Sequence, residues 1–247
     1  MRDISIIIPT FNEKKNILYL IKEIKKILPK ANIIIVDDSP DTEIGKIVKK
    51  NKYLNVNYYH RKNARGRGSA VLFGLRKNFI KNKKHIFIEM DADFSHRPIE
   101  LKRNIRLFKK KKYDLLISSR YLTNSKIINW PFSRKIFSKL SNFLAQMILR
   151  VNVSDYTNGF RIYSTSAVNI ILNKCGKIGD GFIILSEFLL AININKLRIG
   201  ETNTIFVNRV RGESSVNFWL IVNSFVGLIK LFMIKNRYKV KNLFKVI

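Results

Sequence analysis

Apolar and polar residues follow two different periods along this chain, and together they predict an α/β fold. Short β-branched runs recur between longer stretches in which apolar residues lie three or four positions apart. The runs predict buried strands, and the stretches predict helices on both faces of a mostly parallel sheet. The predicted strands are residues 4–9, 32–36, 56–60, 85–90, 114–119, 159–163 and 199–207. The predicted helices are residues 14–28, 42–51, 69–79, 98–112, 133–149 and 183–194.

The residues after position 215 have a different pattern. Residues 218–229 are almost all apolar, Lys230 interrupts them, and every charged residue from Lys230 to the end is basic. The apolar run is shorter than the ~20 residues that a spanning helix needs. We therefore expect residues 1–215 to form a catalytic α/β domain, and residues 216–247 to form a basic amphipathic tail on an anionic membrane surface. A helix packed on the domain is the alternative.

Composition adds a strong positive charge to this picture. The chain has 247 residues, 46% of them hydrophobic, which is enough for one sizeable packed domain, and its formal net charge is +30. Such a charge indicates a polyanionic partner, either nucleic acid or anionic lipid, although an AT-rich genome would also enrich Lys. The single Cys175 excludes an intrachain disulfide, and no basic–apolar leader opens the chain. We expect a protein that is not secreted.

Two carboxylates follow the strand predicted at residues 85–90. Asp91 and Asp93 lie two positions apart, and a loop at a strand end can direct both into one crevice. Two anions so close repel each other unless a cation lies between them. Oxygen ligands favour Mg²⁺ or Mn²⁺, which in turn bind phosphate oxygens. The pattern predicts a metal–diphosphate site at the carboxyl edge of the sheet, and a solvated aspartate turn is the alternative.

Other polar residues carry weaker signals. Asn12 is positioned to cap the helix predicted at residues 14–28. Gly66 and Gly68 lack the spacing of a dinucleotide or Walker motif, so they predict a turn before a helix, with a phosphate contact at the helix start as the alternative. Glu187, the one acid in an apolar helix, is expected to be functional or paired. The histidines form no cluster typical of a metal site.

Seven short motifs, taken in order, resemble the family-2 glycosyltransferases of the GT-A fold, and within them the dolichol- or polyprenol-phosphate mannose synthases. The resemblance covers about residues 1–215. The motifs are residues 7–13 (Ile-Ile-Pro-Thr-Phe-Asn-Glu), 36–41 (Val-Asp-Asp-Ser-Pro-Asp), 90–96 (Met-Asp-Ala-Asp-Phe-Ser-His), 119–121 (Ser-Arg-Tyr), 130–135 (Trp-Pro-Phe-Ser-Arg-Lys), 159–161 (Gly-Phe-Arg) and 211–214 (Arg-Gly-Glu-Ser).

The resemblance implies a role for each matching residue. The nucleotide pocket would comprise Pro9, Phe11, Glu13 and Asp38. The metal would be held by Asp91 and Asp93, with Ser95 as a third contact. The donor diphosphate would be bound by Arg209, and the acceptor phosphate by Arg120, Arg134 and Ser138. Ser215 replaces a lysine that the family has near the diphosphate, and Arg211 is the residue that would compensate. The second loop is also one position shorter than is common.

The implied reaction is an inverting, metal-dependent transfer of mannose from GDP-mannose to a polyprenyl phosphate. A phosphate monoester is largely ionised near neutral pH, so a strong general base is not required. The implied location is peripheral, on the cytoplasmic face of a membrane, where a membrane-protein partner could replace missing spanning helices. One alternative is a related transferase that uses UDP-glucose or builds surface polysaccharide. Another is a non-catalytic nucleic-acid-binding protein, but the basic residues are dispersed and no nucleic-acid module is evident.

Overall fold

The computed structural model describes residues 3–63, 66–82, 84–179, 181, 183–208 and 218–243, with the side chains of residues 225–237 in the last range. The strands are β1 (Ile4–Thr10), β2 (Asn32–Asp37), β3 (Val56–His60), β4 (Ile86–Glu89), β5 (Leu115–Ser119), β6 (Lys126–Ile128), β7 (Arg161–Ser164), β8 (Ile199–Asn203) and β9 (Ile205–Val207). The helices are α1 (Ile17–Ile27), α2 (Glu43–Asn51), α3 (Arg67–Lys77), α4 (Leu101–Lys111), α5 (Phe132–Leu149), α6 (Thr165–Lys174), α7 (Ile183–Ile194) and α8 (Phe218–Leu243).

Seven of these strands form one mostly parallel sheet, in the order β3-β2-β1-β4-β7-β5-β8. Only β7 runs antiparallel to its neighbours, β4 and β5. The strands β6 and β9 form a separate parallel pair. The central strands are β-branched because both of their faces are buried, as expected of a parallel sheet covered by helices. The predicted α/β architecture is confirmed.

Helices cover both faces of the sheet, and the sheet divides the hydrophobic core into two layers. Ile7 of β1 points into the layer formed with α3, α6 and α7. Ile6 and Ile8, its neighbours in the strand, point into the opposite layer, formed with α1, α2 and α4. The alternation follows from the two-residue period of a strand. The two faces of β1 are therefore largely apolar, and the polar residues of the predicted site lie at the strand ends.

The local predictions differ from the structure in a few places. The proposed Asn12 cap is wrong, because Asn12 adopts a left-handed φ of 59° and α1 begins only at Ile17. The single strand predicted at residues 199–207 is divided into β8 and β9. Glu187 is paired, as expected, since it accepts hydrogen bonds from the backbone amides of Gly176 (3.0 Å) and Lys177 (3.4 Å). Burial raises the pKa of this carboxyl group.

The C-terminal helix α8 packs on α5 and α7. Leu228 and Leu231 are buried in the core, and Lys235 Nζ donates a 3.0 Å hydrogen bond to the carbonyl oxygen of Ile148. Within the described part of the chain, no helix combines the length and the apolar character needed to cross a membrane. The division of the chain at residue 215 stays a prediction, because residues 209–217 lie outside the described ranges.

Candidate active site at the carboxyl edge of the sheet

The loops that follow β1, β2, β4 and β5 meet at one edge of the sheet. These strands run parallel to one another, so their carboxyl ends point the same way, and β7 lies between β4 and β5. Open α/β sheets bind ligands in the crevices at this edge. The sequence motifs at residues 7–13, 36–41, 90–96 and 119–121 all fall there, which explains why separate polar segments converge on one site.

Asp37 connects the first two loops. Its carboxylate accepts hydrogen bonds from Thr10 Oγ1 (2.9 Å), Ser39 Oγ (2.6 Å) and the Tyr58 hydroxyl (2.9 Å). Burial and the bond to Asp37 raise the pKa of Tyr58, so its hydroxyl remains a donor. Asp37 is fully buried, and its hydrogen bonds fix the ends of the first and second loops from inside the protein.

Asp38, the next residue, is held by an arginine from another loop. Arg61 Nε and Nη2 donate to the two carboxylate oxygens of Asp38 at 2.7 and 2.6 Å, and the Gly66 amide donates at 3.2 Å. A fork of this kind fixes the plane of a carboxylate. Asp38 therefore has a defined orientation at the position where the resemblance predicts nucleotide binding.

The first loop places the other predicted nucleotide-binding residues beside Asp38. Pro9 pairs with Val36 in the sheet, and the Asn12 amide donates to Ser39 Oγ at 2.9 Å, which ties the two loops together. The ring of Phe11 is 42% exposed and so accessible for stacking. Glu13 Oε2 accepts a 2.7 Å bond from Asn16. The structure brings these residues to one corner, and their role in nucleotide binding stays a prediction.

The two carboxylates after β4 are oriented by different groups. Asp91 Oδ1 accepts from Arg67 Nε at 2.8 Å, and its backbone amide donates to His96 Nδ1 at 2.9 Å. Asp93 Oδ1 accepts from both the amide (3.0 Å) and the hydroxyl (2.6 Å) of Ser95. Ser95 thus orients Asp93, and its predicted contact with a metal stays a prediction.

The donor set of this corner fits a hard divalent cation. Asp91 and Asp93 offer carboxylate oxygens, the ligands that Mg²⁺ and Mn²⁺ prefer. His96 offers no ring nitrogen, because Nδ1 accepts from Asp91 and Nε2 lies 2.9 Å from Asn158 Oδ1. Among the described residues no cluster of three or more His, Cys, Asp or Glu could hold a metal. An ion here would complete its shell with water and phosphate oxygens, as Mg²⁺ usually does.

On the other side of the crevice, Arg120 is bound to a buried aspartate. Its Nε and Nη2 each donate to Asp155 at 2.8 Å, and Nη2 also donates to Thr157 Oγ1 at 2.6 Å. Burial alone would lower the pKa of Arg120, but Asp155 outweighs it and raises that pKa. The predicted contact of Arg120 with acceptor phosphate is not tested by this geometry, which shows only that part of its fork is already engaged.

Trp130 lies between the two arginines assigned to the acceptor. The guanidinium carbon of Arg134 is 4.3 Å from the indole centroid, and that of Arg120 is 5.4 Å away. The Phe206 ring contacts the same indole edge-on, at 5.2 Å between centroids. The indole Nε1 is buried and has no hydrogen-bond partner among the described residues, so ring contacts position it. Trp130 therefore contacts both cationic side chains.

Ser138 joins the same group through Tyr121. The Tyr121 hydroxyl donates to Ser138 Oγ at 2.6 Å. Ser138 lies four residues after Arg134 in α5, so both project from one face of the helix. Arg134 Nη1 donates to Asn208 Oδ1 at 3.0 Å. Arg120, Arg134 and Ser138 thus form one cluster, as the motifs predicted, and their substrate contacts stay predictions.

The remaining predicted contacts to the donor, Arg209 and Arg211, lie outside the described residues, as does Ser215. Their roles therefore stay predictions.

Sequence reasoning missed three residues of the site. Arg61, Arg67 and Asp155 each pair with a predicted residue that is 23 to 35 positions away. The only signal was the basic, glycine-containing loop at residues 61–68, which was interpreted as a turn.

A mostly parallel sheet with one antiparallel strand and a carboxylate pair after β4 agrees with the GT-A fold class that the motifs predict. Residues 5–171 match the family described as Glycosyl transferase family 2, and the chain belongs to that family. The predicted family and enzyme class are confirmed.

Two curated relatives and one solved structure are informative. The undecaprenyl-phosphate mannosyltransferase of Micrococcus luteus is 31% identical over 225 residues, which cover 90% of each protein. The polyprenol monophosphomannose synthase of Mycolicibacterium smegmatis is 33% identical over 220 residues, which cover 86% of this chain and 80% of that protein. Glucosyl-3-phosphoglycerate synthase of Mycobacterium tuberculosis, crystallised with Mn²⁺, UDP-glucose and phosphoglyceric acid, is similar in fold: TM-score 0.66, 16% identity, and coverage of 94% of this chain and 80% of that one.

Proposed function

We propose that the protein is an inverting transferase that moves mannose from GDP-mannose to a polyprenyl phosphate of the dolichyl type. Two relatives that share about a third of their residues with this chain carry names for mannosyl transfer to polyprenyl phosphate. The observation that carries the proposal is the cluster of Arg120, Arg134 and Trp130 at the same sheet edge as Asp91 and Asp93. A cationic cluster beside a carboxylate pair suits an anionic acceptor next to a metal-bound donor.

In the donor half, Asp91 and Asp93 would hold Mg²⁺ or Mn²⁺, which supplies neutralising charge to the departing nucleoside diphosphate. Ser95 keeps Asp93 oriented by its two hydrogen bonds. Phe11 would stack on the base, while Pro9, Glu13 and Asp38 would line its pocket. We assign Arg209 and Arg211 to the diphosphate.

In the acceptor half, Arg134, Ser138 and Arg120 would bring the lipid phosphate to the anomeric carbon. The phosphate oxygen attacks directly and inverts the configuration. His96 is not suited to act as a base, since both of its ring nitrogens are engaged. The reaction needs no general base, because a phosphate monoester is largely ionised near neutral pH.

A lipid acceptor implies that the protein binds a membrane, and we assign the membrane-binding surface of the protein to α5 together with α8. One face of α5 exposes large apolar side chains three or four residues apart, and the adjoining α8 exposes more. They are Phe132, Ile136, Leu140, Phe143 and Met147 of α5, and Phe225, Ile229, Phe232 and Met233 of α8. Lys135, Lys139 and Lys230 lie in the same two helices. Such a surface suits peripheral binding to anionic lipid, on the cytoplasmic face if the donor is cytosolic. A membrane-protein partner stays a prediction.

The proposal is tested by incubating the protein with radiolabelled GDP-mannose, Mg²⁺ or Mn²⁺ and a polyprenyl phosphate, and counting label in the organic phase. We expect metal-dependent transfer that Asp93→Ala abolishes. Glu23→Gln, which changes an exposed carboxylate of α1, is the control and should keep full activity. A parallel reaction with UDP-glucose separates the related transferases. Faster transfer from UDP-glucose, or metal-dependent transfer at the wild-type rate by Asp93→Ala, would refute the proposal.

A further inference from the structure

The first residue of α3, Arg67, forms ion pairs with two acids of the β4 strand and loop. Its Nε and Nη2 lie 2.8 and 2.7 Å from Asp91 Oδ1, and its Nη1 donates to Glu89 Oε1. Glu89 ends β4 and is completely buried, whereas the Asp91 side chain is 25% exposed. One guanidinium group therefore bridges an internal carboxylate and a carboxylate at the mouth of the site.

The surroundings hold Arg67 in this position from two sides. The Tyr163 hydroxyl donates to Glu89 Oε2 at 2.7 Å, so Glu89 is itself fixed. Gly159 lies directly against the guanidinium group: a Cβ at this glycine would lie 1.8 Å from Arg67 Nη2 and 2.5 Å from Cζ. A side chain at position 159 would thus displace the arginine. The glycine of the 159–161 motif is explained by this close approach.

Part of the negative charge in this corner is neutralised before any ligand binds. Burial alone would lower the pKa of Arg67, but Asp91 and Glu89 raise it, so the group stays charged at all accessible pH values. Two carboxylates around one guanidinium leave a smaller negative charge for a divalent ion to bind. An oxygen that already accepts a guanidinium N–H group and lies in an ion pair with the same arginine is also a weaker metal ligand.

We propose that Arg67 is a positioning residue for the metal site: it fixes Asp91 and keeps divalent-ion binding weak until a nucleoside diphosphate is present. In the protein without nucleotide, the guanidinium group supplies the positive charge that Asp91 requires. The two phosphates of the donor add negative charge and oxygen ligands, which offset the repulsion between Arg67 and the ion. The metal therefore binds together with the nucleotide. This inference rests on the proposed metal site at Asp91 and Asp93.

The test measures Mn²⁺ binding by electron paramagnetic resonance, with and without GDP, and needs no turnover. Gly159→Ala is the main variant, because its methyl group displaces the arginine without removing a charge. Without GDP we expect Gly159→Ala to bind Mn²⁺ about tenfold more tightly than wild type, since a fixed positive charge moves away from the ion. With GDP the difference should become smaller. Gly200→Ala, on β8, is the matched control: its Cβ would lie 2.3 Å from the Tyr113 ring, and the variant should bind Mn²⁺ as wild type does.

A second variant covers the case in which Gly159→Ala does not fold. Arg67→Gln combined with Glu89→Gln removes one charge of each sign, and we expect the same tightening without GDP. Equal Mn²⁺ affinity in wild type and in the folded variants, at both nucleotide conditions, would overturn the role of Arg67. If wild type binds no Mn²⁺ even with GDP, or Asp93→Asn binds it unchanged, the metal site itself is wrong. The two failures are therefore distinguishable.

Discussion

Replacing Trp130 by leucine should weaken the use of acceptor without affecting the donor. The Arg134 guanidinium carbon lies 4.3 Å from the indole centroid, well inside the ~6 Å range of a cation–π contact. Such a contact contributes about 1–2 kcal/mol in a partly desolvated setting. Leucine keeps an apolar side chain but has no ring face, so that contribution is lost.

The expected size follows from this contact. At 1.4 kcal/mol per factor of ten, losing 1–2 kcal/mol corresponds to a rise of about 5- to 30-fold in the KM for polyprenyl phosphate. The KM for GDP-mannose should change less than about twofold, because Trp130 is on the acceptor side and its ring contacts are with Arg120, Arg134 and Phe206.

Steady-state kinetics with each substrate varied separately provide the measurement. Trp130→Phe keeps an aromatic face and should lie between wild type and Trp130→Leu, and a thermal melt of each variant checks that it is folded. The reasoning is refuted if Trp130→Leu raises both KM values equally, or if Trp130→Phe is as impaired as Trp130→Leu.

Two further predictions concern stability and the membrane surface. Asp155→Asn leaves the buried Arg120 without its carboxylate and should cost about 3–5 kcal/mol of unfolding free energy, or roughly 10 °C in Tm. Burial alone would raise the pKa of Asp155, but Arg120 outweighs burial and lowers that pKa in the folded protein. The extra stability of wild type over Asp155→Asn is therefore fully present above the usual carboxyl pKa. It disappears as the pH falls through the lower pKa of the folded state. An advantage that persists after both states are protonated would contradict this. Phe143→Glu, on the exposed face of α5, should reduce sedimentation with anionic vesicles about tenfold, whereas Leu54→Glu, an equally charged change at another exposed site, should not. Equal effects would reject the α5–α8 surface.

The strand ends of this fold could be predicted from the sequence because the signals are local. A run such as Ile33–Val36 is buried on both faces, and the first polar residue after it marks the carboxyl edge. Asp38, Asp91 and Asp93 come within a few residues of the end of such runs, so the motif that predicts the strand also places the acid. The motif at residues 130–135 likewise placed Arg134 in a predicted helix, and its role toward the acceptor stays a prediction.

Short elements and distant pairs could not be predicted in this way. β6 (Lys126–Ile128) has three residues and is defined only by its pairing with β9. Helix α6 was not predicted from the sequence. Its N-cap residue, Ser164, accepts a hydrogen bond from the Ala167 amide, but in the sequence alone such a capping residue cannot be distinguished from a turn residue. The exposed apolar face of α5 was also missed, because a helical period does not show which face the fold leaves uncovered.

Three arginines of the site, of which Arg61 and Arg67 were missed and Arg120 was predicted, share one physical role. Arg61, Arg67 and Arg120 come from separate parts of the chain, and each binds a carboxylate at the carboxyl edge of the sheet. A guanidinium fork fixes both the position and the plane of its partner, so these carboxylates are oriented before any substrate arrives. Preorganised charge of this kind needs no rearrangement during the reaction, which is where electrostatic catalysis gains most. Activity in this site should therefore depend on Arg61 and Arg67, which need not touch the substrate and whose pairing only the folded chain reveals.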